Sequence, residues 1–153
     1  MVVVTAAEMP TPAEELRGAG LRVTAARVAL LQTIQPGDHL GVEAIAARIR
    51  HRVGHVSLQA VYEALNALTE AGLVRRIEPA GSPARFERRV GDNHHHAVCR
   101  SCGVVVDVDC ALGEAPCLTA ANDQGFVIDE AEVIYWGLCP DCSDRLSTAC
   151  TSA

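Results

Sequence analysis

The chain opens with apolar residues at helical spacing and changes to strand-like alternation near its middle. Thr11-Pro12-Ala13-Glu14 has the pattern of a capping box with proline in the first turn. It predicts a helix toward Ala19, ended by Gly18 and Gly20. Thr24 caps a second helix to about Ile34, with Val28, Leu31 and Ile34 facing inward. Pro36-Gly37-Asp38 breaks the chain, and a third helix runs from about Val42 to Arg50. Ser57 caps a fourth helix that ends at Gly72. Its residues Leu58, Val61, Leu65 and Leu68 recur at helical intervals and predict one buried stripe. Gln59, Tyr62, Glu63 and Asn66 form the opposite face.

Beyond Gly72 the period shortens. Leu73 to Glu78 and Ala84 to Arg88 read as two strands around the turn Pro79-Ala80-Gly81-Ser82. Helices followed by a two-stranded hairpin describe a winged helix-turn-helix, whose last helix enters the major groove of DNA. The expected fold class is therefore α+β: an N-terminal winged-helix domain over residues 1–88, then a hinge at 89–93. A small α/β domain follows over 94–143, with strands near 104–108 and 127–135 and a helix near 112–122. Residues 144–153 are expected to be a disordered tail.

Charge sharpens this division. Residues 1–90 carry eleven Arg against nine Asp and Glu, and residues 91–153 carry two Arg against ten, so the halves are +2 and −8. Only the first suits a polyanion. The chain has no lysine, so every such contact falls to arginine, whose fork matches phosphate and guanine edges. No stretch approaches the ~20 apolar residues of a membrane span. The N-terminus lacks the basic region and apolar core of a secretory signal, so a cytoplasmic protein with no membrane contact is expected.

All seven cysteines lie between positions 99 and 150. Cys99-Arg-Ser-Cys102-Gly and Cys139-Pro-Asp-Cys142 are two Cys-x-x-Cys knuckles, which together offer the four thiolates of a structural zinc site. The alternative is a small thiol–disulfide oxidoreductase using the Cys139–Cys142 pair, which requires a βαβ context. Asp92-Asn93-His94-His95-His96 is the second cluster. On a strand His94 and His96 share one face and His95 takes the other. With the nearby carboxylates Glu87 and Asp107 these imidazoles suit Fe(II), Mn(II) or Zn(II), although a solvated polar turn has the same composition. Tyr62 on the fourth helix, with Arg22 and Arg27 before it, suits DNA contact or an ordinary polar surface equally well. Cys110 and Cys117 stand outside the knuckles, as inert thiols or as redox-active ones.

Taken together, Leu21-Arg-Val-Thr-Ala-Ala-Arg27, Val56-Ser-Leu-Gln-Ala-Val-Tyr62, Gly91-Asp-Asn-His-His-His96 and the two knuckles resemble the ferric uptake regulators, from about residue 12 to 143. The segment from Val90 to Ser143 resembles an actinobacterial branch that represses catalase-peroxidase genes and responds to oxidants. The resemblance implies a metal-dependent, oxidant-responsive repressor rather than an enzyme. It implies a homodimer on a palindromic, AT-rich duplex operator, with residues 94–143 as the dimerisation and zinc-binding domain. Its implied cofactors are structural Zn(II) on Cys99, Cys102, Cys139 and Cys142, and regulatory Fe(II) or Mn(II) on His39, Glu87, His94, His96 and Asp107. Gln59 and Tyr62 would touch bases, while Arg22, Arg27, Arg75 and Arg76 would hold phosphates. Asp107 is the choice of peroxide sensors, where iron sensors carry Glu. A further metal site of iron-sensing relatives departs here: His95 stands in place of an Asp, Glu114 could still serve, and no His follows His96. Ala60 stands where many relatives have Thr. A zinc, nickel or iron-sufficiency sensor on the same scaffold is the alternative.

Overall fold

The computed structural model describes residues 10–88, 90, 94–109, 120, 122–128 and 131–150, with the side chains of 146–150 left aside. The chain divides into two compact units, Met1–Ile77 with Ala84–Val90, and Glu78–Pro83 with Gly91–Ala153. The hairpin turn 78–83 thus groups with the second unit, whereas the sequence assigned it to the first.

The first unit holds α1 (Pro12–Gly18), α2 (Ala25–Thr33), α3 (Val42–Val53), α4 (Leu58–Glu70) and a hairpin of β1 (Arg75–Ile77) and β2 (Arg85–Glu87). The caps fall where side-chain oxygens can take orphan amide protons. The Thr11 backbone N–H and hydroxyl donate to Glu14 at 2.8 and 2.7 Å, and the Glu14 N–H returns to the Thr11 hydroxyl. These hydrogen bonds hold the Glu14 carboxyl below its ordinary range. Thr24 accepts from the Arg27 N–H, and Ser57 from the Ala60 N–H. The third helix runs three residues past its expected end, to Gly54 at φ +75°, a left-handed conformation that glycine adopts without a Cβ penalty.

The core of this unit is almost wholly aliphatic. Leu16, Leu30, Leu31, Ile34, Ile45, Ile49, Leu65 and Leu68 are fully buried, joined by Phe86 from the hairpin. Leu58 departs from the expected stripe and is 41% exposed. It occupies the first helical position of α4, beyond the reach of the core that covers Val61 and Leu65. Leu40 bridges Phe86 through paired backbone bonds of 3.1 and 2.9 Å, an isolated bridge beside the two-stranded wing.

The second unit is a three-stranded sheet in the order β4-β3-β5, with β3 (His94–Cys99), β4 (Val105–Asp109) and β5 (Ile134–Gly137). β3 pairs antiparallel with β4 and parallel with β5. The expected strand from 127 begins only at Ile134, because a turn at Gln124–Gly125 precedes it and residues 126–128 join no ladder. The expected disordered tail is also corrected. A helix α5 spans Pro140–Cys150, started by a proline that needs no amide partner and by Asp141 in the first turn. The hinge, apart from Val90, and most of the helix expected near 112–122 lie outside the described residues, as do Glu114, Cys110 and Cys117.

Burial separates two leucines of α4. Leu65→Ala is expected to destabilise the first unit by about 2–5 kcal/mol, and Leu58→Ala by less than about 0.5 kcal/mol. Chemical denaturation of the two variants, followed by circular dichroism, measures the contrast.

Candidate metal centres and nucleic-acid face

Parallel pairing of β3 with β5 sets Cys99 beside Gly137, and the Arg100 N–H donates to the Gly137 carbonyl at 2.8 Å. Both knuckles therefore leave the same end of the sheet. The first turns back at Gly103, whose φ of +72° accompanies an N–H bond of 2.9 Å to the Cys99 carbonyl. The second is the start of α5, with the Cys142 and Ser143 N–H groups donating to the Cys139 carbonyl.

The four sulfurs lie within 4.8 Å of one another, and Cys102 Sγ is 3.7 Å from Cys139 Sγ. Tetrahedral zinc with bonds of ~2.3 Å needs sulfurs ~3.8 Å apart, so the set fits that ion. The thiols also need it. Backbone N–H donation from Cys102, and then from Cys139, holds the Cys99 thiol down at about 6. The Cys142 N–H acts likewise on Cys139, but burial and the facing thiols of Cys142, Cys102 and Cys99 outweigh it and push Cys139 up to about 12. Four thiolates this close require a cation among them. The Cys139–Cys142 pair thus faces two more cysteines and is half of a set that could hold a metal, not an isolated pair.

The first unit brings His39 and Glu87 together. The Leu40–Phe86 bridge lays their neighbours side by side, and His39 Nε2 stands 3.0 Å from Glu87 Oε2. Arg75 Nε lies 4.0 Å from Glu87 Oε1, and Arg85 Nη1 reaches the His39 carbonyl at 3.5 Å. Arg88, next to Glu87, donates to the Leu31 carbonyl at 2.7 Å and to Glu15 at 2.6 Å, fixing the end of β2 against α1 and α2. Sequence reasoning missed Arg85 and Arg88. Their proximity to Glu87 was the available signal, but proximity to an acid does not specify a carbonyl partner.

The second unit assembles three more donors. In the β3–β4 register Asp107 is directly opposite His96 and diagonal to His94. Its Oδ1 is 3.9 Å from Nε2 of each, and the two rings meet edge to face at 4.9 Å. Metal bonds of ~2.1 Å place donor atoms between ~3.0 Å apart in cis and ~4.2 Å in trans, a range that includes this spacing. His95 points to the other face, buried, with its ring edge-to-face with Tyr135.

Among the expected DNA contacts, Arg22, Gln59, Tyr62 and Arg76 are exposed. Arg27 is half-buried and donates to the Arg22 carbonyl at 2.9 Å. Arg75 turns toward Glu87 with 18% of its side chain exposed, whereas Arg76 is exposed.

A winged-helix unit followed by a unit closed on four cysteines defines a metal-binding regulator of the winged-helix class. The sequence profile of the ferric uptake regulator family matches residues 18–136, and the chain belongs to that family. It is 63% identical over 135 residues to the transcriptional regulator FurA of Mycobacterium tuberculosis, covering 88% of this chain and 92% of the relative. Ferric uptake regulation protein 1 of Mycolicibacterium fortuitum is 60% identical over 121 residues, 79% and 75% of the two chains. The solved ferric uptake regulator of Pseudomonas aeruginosa with manganese superposes with a TM-score of 0.68 at 30% identity, over 86% of this chain and 99% of that one. The chain is accordingly a metal-responsive transcriptional regulator of this family, not an enzyme. No helix among the described residues is long and apolar enough to cross a membrane.

Zinc must displace protons from these thiols, so its affinity is expected to rise with pH between about 5.5 and 8, with protons released on loading. Chelator competition across that range measures it. Cys142→Ser is expected to purify with less than one zinc per chain. The single tryptophan, Trp136 on β5, lies under the Arg100 guanidinium at 5.1 Å, and its fluorescence should report the loss.

Proposed function

We propose that the chain is a homodimeric repressor whose hold on a palindromic, AT-rich operator requires a regulatory Fe(II) or Mn(II) ion and is released by oxidants. The observation that carries the reading is a pair of incomplete ligand sets, one in each unit. His39 with Glu87 offers one nitrogen and one carboxylate, while His94, His96 and Asp107 offer two nitrogens and another carboxylate. Only residues 88–93 separate the two sets along the chain between Glu87 and His94. A cation taking donors from both favours one arrangement of the two units over all others, which is how a ligand biases a two-state element.

Each unit supplies a different part of the activity. The first presents Gln59 and Tyr62 on α4, with the exposed Arg22 and Arg76 as the phosphate contacts, while Arg27 and Arg75 are engaged within the unit. The acidic second unit supplies the contact between copies. Val106 and Tyr135 flank Ala97 in register, on the sheet face that carries His95, and both are about half exposed. Apolar side chains in a row on an open sheet face suit a second copy of the chain.

Zinc on the four cysteines would hold the second unit, and iron at the regulatory set would supply one-electron reduction of peroxide beside the imidazoles. Oxidation of the His39 or His94 ring removes a donor nitrogen and dismantles the set. Oxidation of Cys99, Cys102, Cys110 or Cys117 is the second route.

Operator binding by the zinc-loaded chain, with and without Mn(II) or Fe(II) and before and after dilute peroxide, tests the proposal. The expected result is metal-dependent binding that only the Fe(II) form loses to peroxide, unchanged in Cys110→Ser/Cys117→Ser. Loss from both metal forms, restored by a thiol reductant, would place sensing at cysteine. Restoration by Zn(II) or Ni(II) alone, without oxidant response, would identify a different metal sensor. Separately, His39→Ala is expected to need at least tenfold more Mn(II) for half-maximal operator binding, with zinc content unchanged. Wild-type metal dependence in that variant would remove His39 from the set.

A further inference from the structure

α4 carries an unusual set of outward side chains for a helix that reads DNA. Its buried stripe is Val61, Ala64, Leu65 and Leu68. The stripe most nearly opposite is Gln59, Glu63 and Asn66, spaced four and then three residues apart, all exposed. From Leu58 to Glu70 there is no Arg, and the helix carries two carboxylates, Glu63 and Glu70. The commonest specific contact with guanine, a bidentate Arg or Lys on O6 and N7, is therefore unavailable from this helix.

We infer that Glu63 is a base-discriminating residue, accepting a hydrogen bond from an exocyclic amine in the major groove and rejecting a keto base at the same position. The inference rests on α4 being the major-groove helix, as proposed above. An ionised carboxylate only accepts. In the major groove adenine N6 and cytosine N4 donate, whereas guanine O6 and N7 and thymine O4 accept. Facing an amine, Glu63 makes a charge-assisted bond. Facing a keto oxygen, it loses water and gains nothing, so discrimination comes from rejection as much as from attraction.

The neighbouring side chain prepares this contact. Gln59 Nε2 donates to Glu63 Oε1 at 3.0 Å, one helical turn apart. The bond restricts the Glu63 carboxylate before DNA arrives, which lowers the ordering cost of binding. Gln59 keeps its second N–H and its carbonyl oxygen, the pair that matches adenine. Tyr62 and Leu58, exposed on the flank, add apolar contact for thymine methyls. Gln59, Tyr62 and Leu58 thus favour A·T pairs, while Glu63 accepts adenine or cytosine.

Selection from randomised duplex pools, using the full chain loaded with zinc and manganese, tests the assignment. The wild type is expected to reject guanine and thymine about tenfold or more at one position per half-site. Glu63→Gln, which offers both a donor and an acceptor, should reduce that discrimination to about twofold there and leave other positions unchanged. Gln59→Ala should weaken the preference at the Glu63 position as well as at its own. Identical preferences in Glu63→Gln and the wild type would overturn the inference. So would a uniform gain in affinity across all sequences, which marks Glu63 as a solvated charge that merely repels phosphate. A wild-type chain with no sequence preference at all would overturn the operator-binding reading itself, and this inference with it.

Discussion

Four sulfurs within 4.8 Å of one another cannot all be thiolates unless a cation sits among them, and the second unit is built on that constraint. Its described apolar core is slight. Val98, Val105 and Pro79 are buried, and the other buried residues among those described there are cysteines and histidines. Small units of this kind need a staple beyond hydrophobic burial. The cysteine set provides one at the junction of β3, β5 and the start of α5. The parallel β3–β5 pairing, which otherwise joins strands far apart in sequence, is closed at that junction. Metal binding at such a site is itself folding free energy.

The same strand that ends in a cysteine of the four-sulfur cluster begins with two histidines of the proposed regulatory set. β3 carries His94 and His96 at one end and Cys99 at the other, and its register with β4 brings Asp107 to both imidazoles. A rigid support for Cys99 therefore also orients the histidines. The first unit uses a different device. There a single bridge from Leu40 to Phe86 sets His39 against Glu87, while Arg85 and Arg88 fix the backbone on either side. One half-set depends on a sheet register and the other on a loop tied to a wing.

Local signals were legible in the sequence and long-range ones were not. Thr11, Thr24 and Ser57 announced three helices, because a cap acts within one turn. The knuckles announced the four-cysteine cluster, because Cys-x-x-Cys spacing is itself the geometry. Leu58 was misread, since periodicity continues to the first residue of a helix whether or not a core reaches it. The helix from Pro140 was missed because its starting residues had already been assigned to a knuckle, and a knuckle can also be a first turn. The meeting of His39 with Glu87 depends on a bridge between chain segments distant in sequence, which no local pattern encodes. Family resemblance supplied that set, and the backbone supplied the reason.

The Leu40–Phe86 bridge has a thermodynamic consequence. It ties the segment bearing His39 to the wing hairpin, so the face proposed to meet a duplex and the His39–Glu87 pair share backbone hydrogen bonds. Coupling between two ligands is reciprocal: whatever factor the cation adds to operator affinity, the operator must add to affinity for the cation. A regulator already on its operator would therefore hold its metal more tightly than one free in solution. On the proposed reading, the metal threshold would be a property of each promoter as well as of the protein, and stronger operators would release last as the ion becomes scarce.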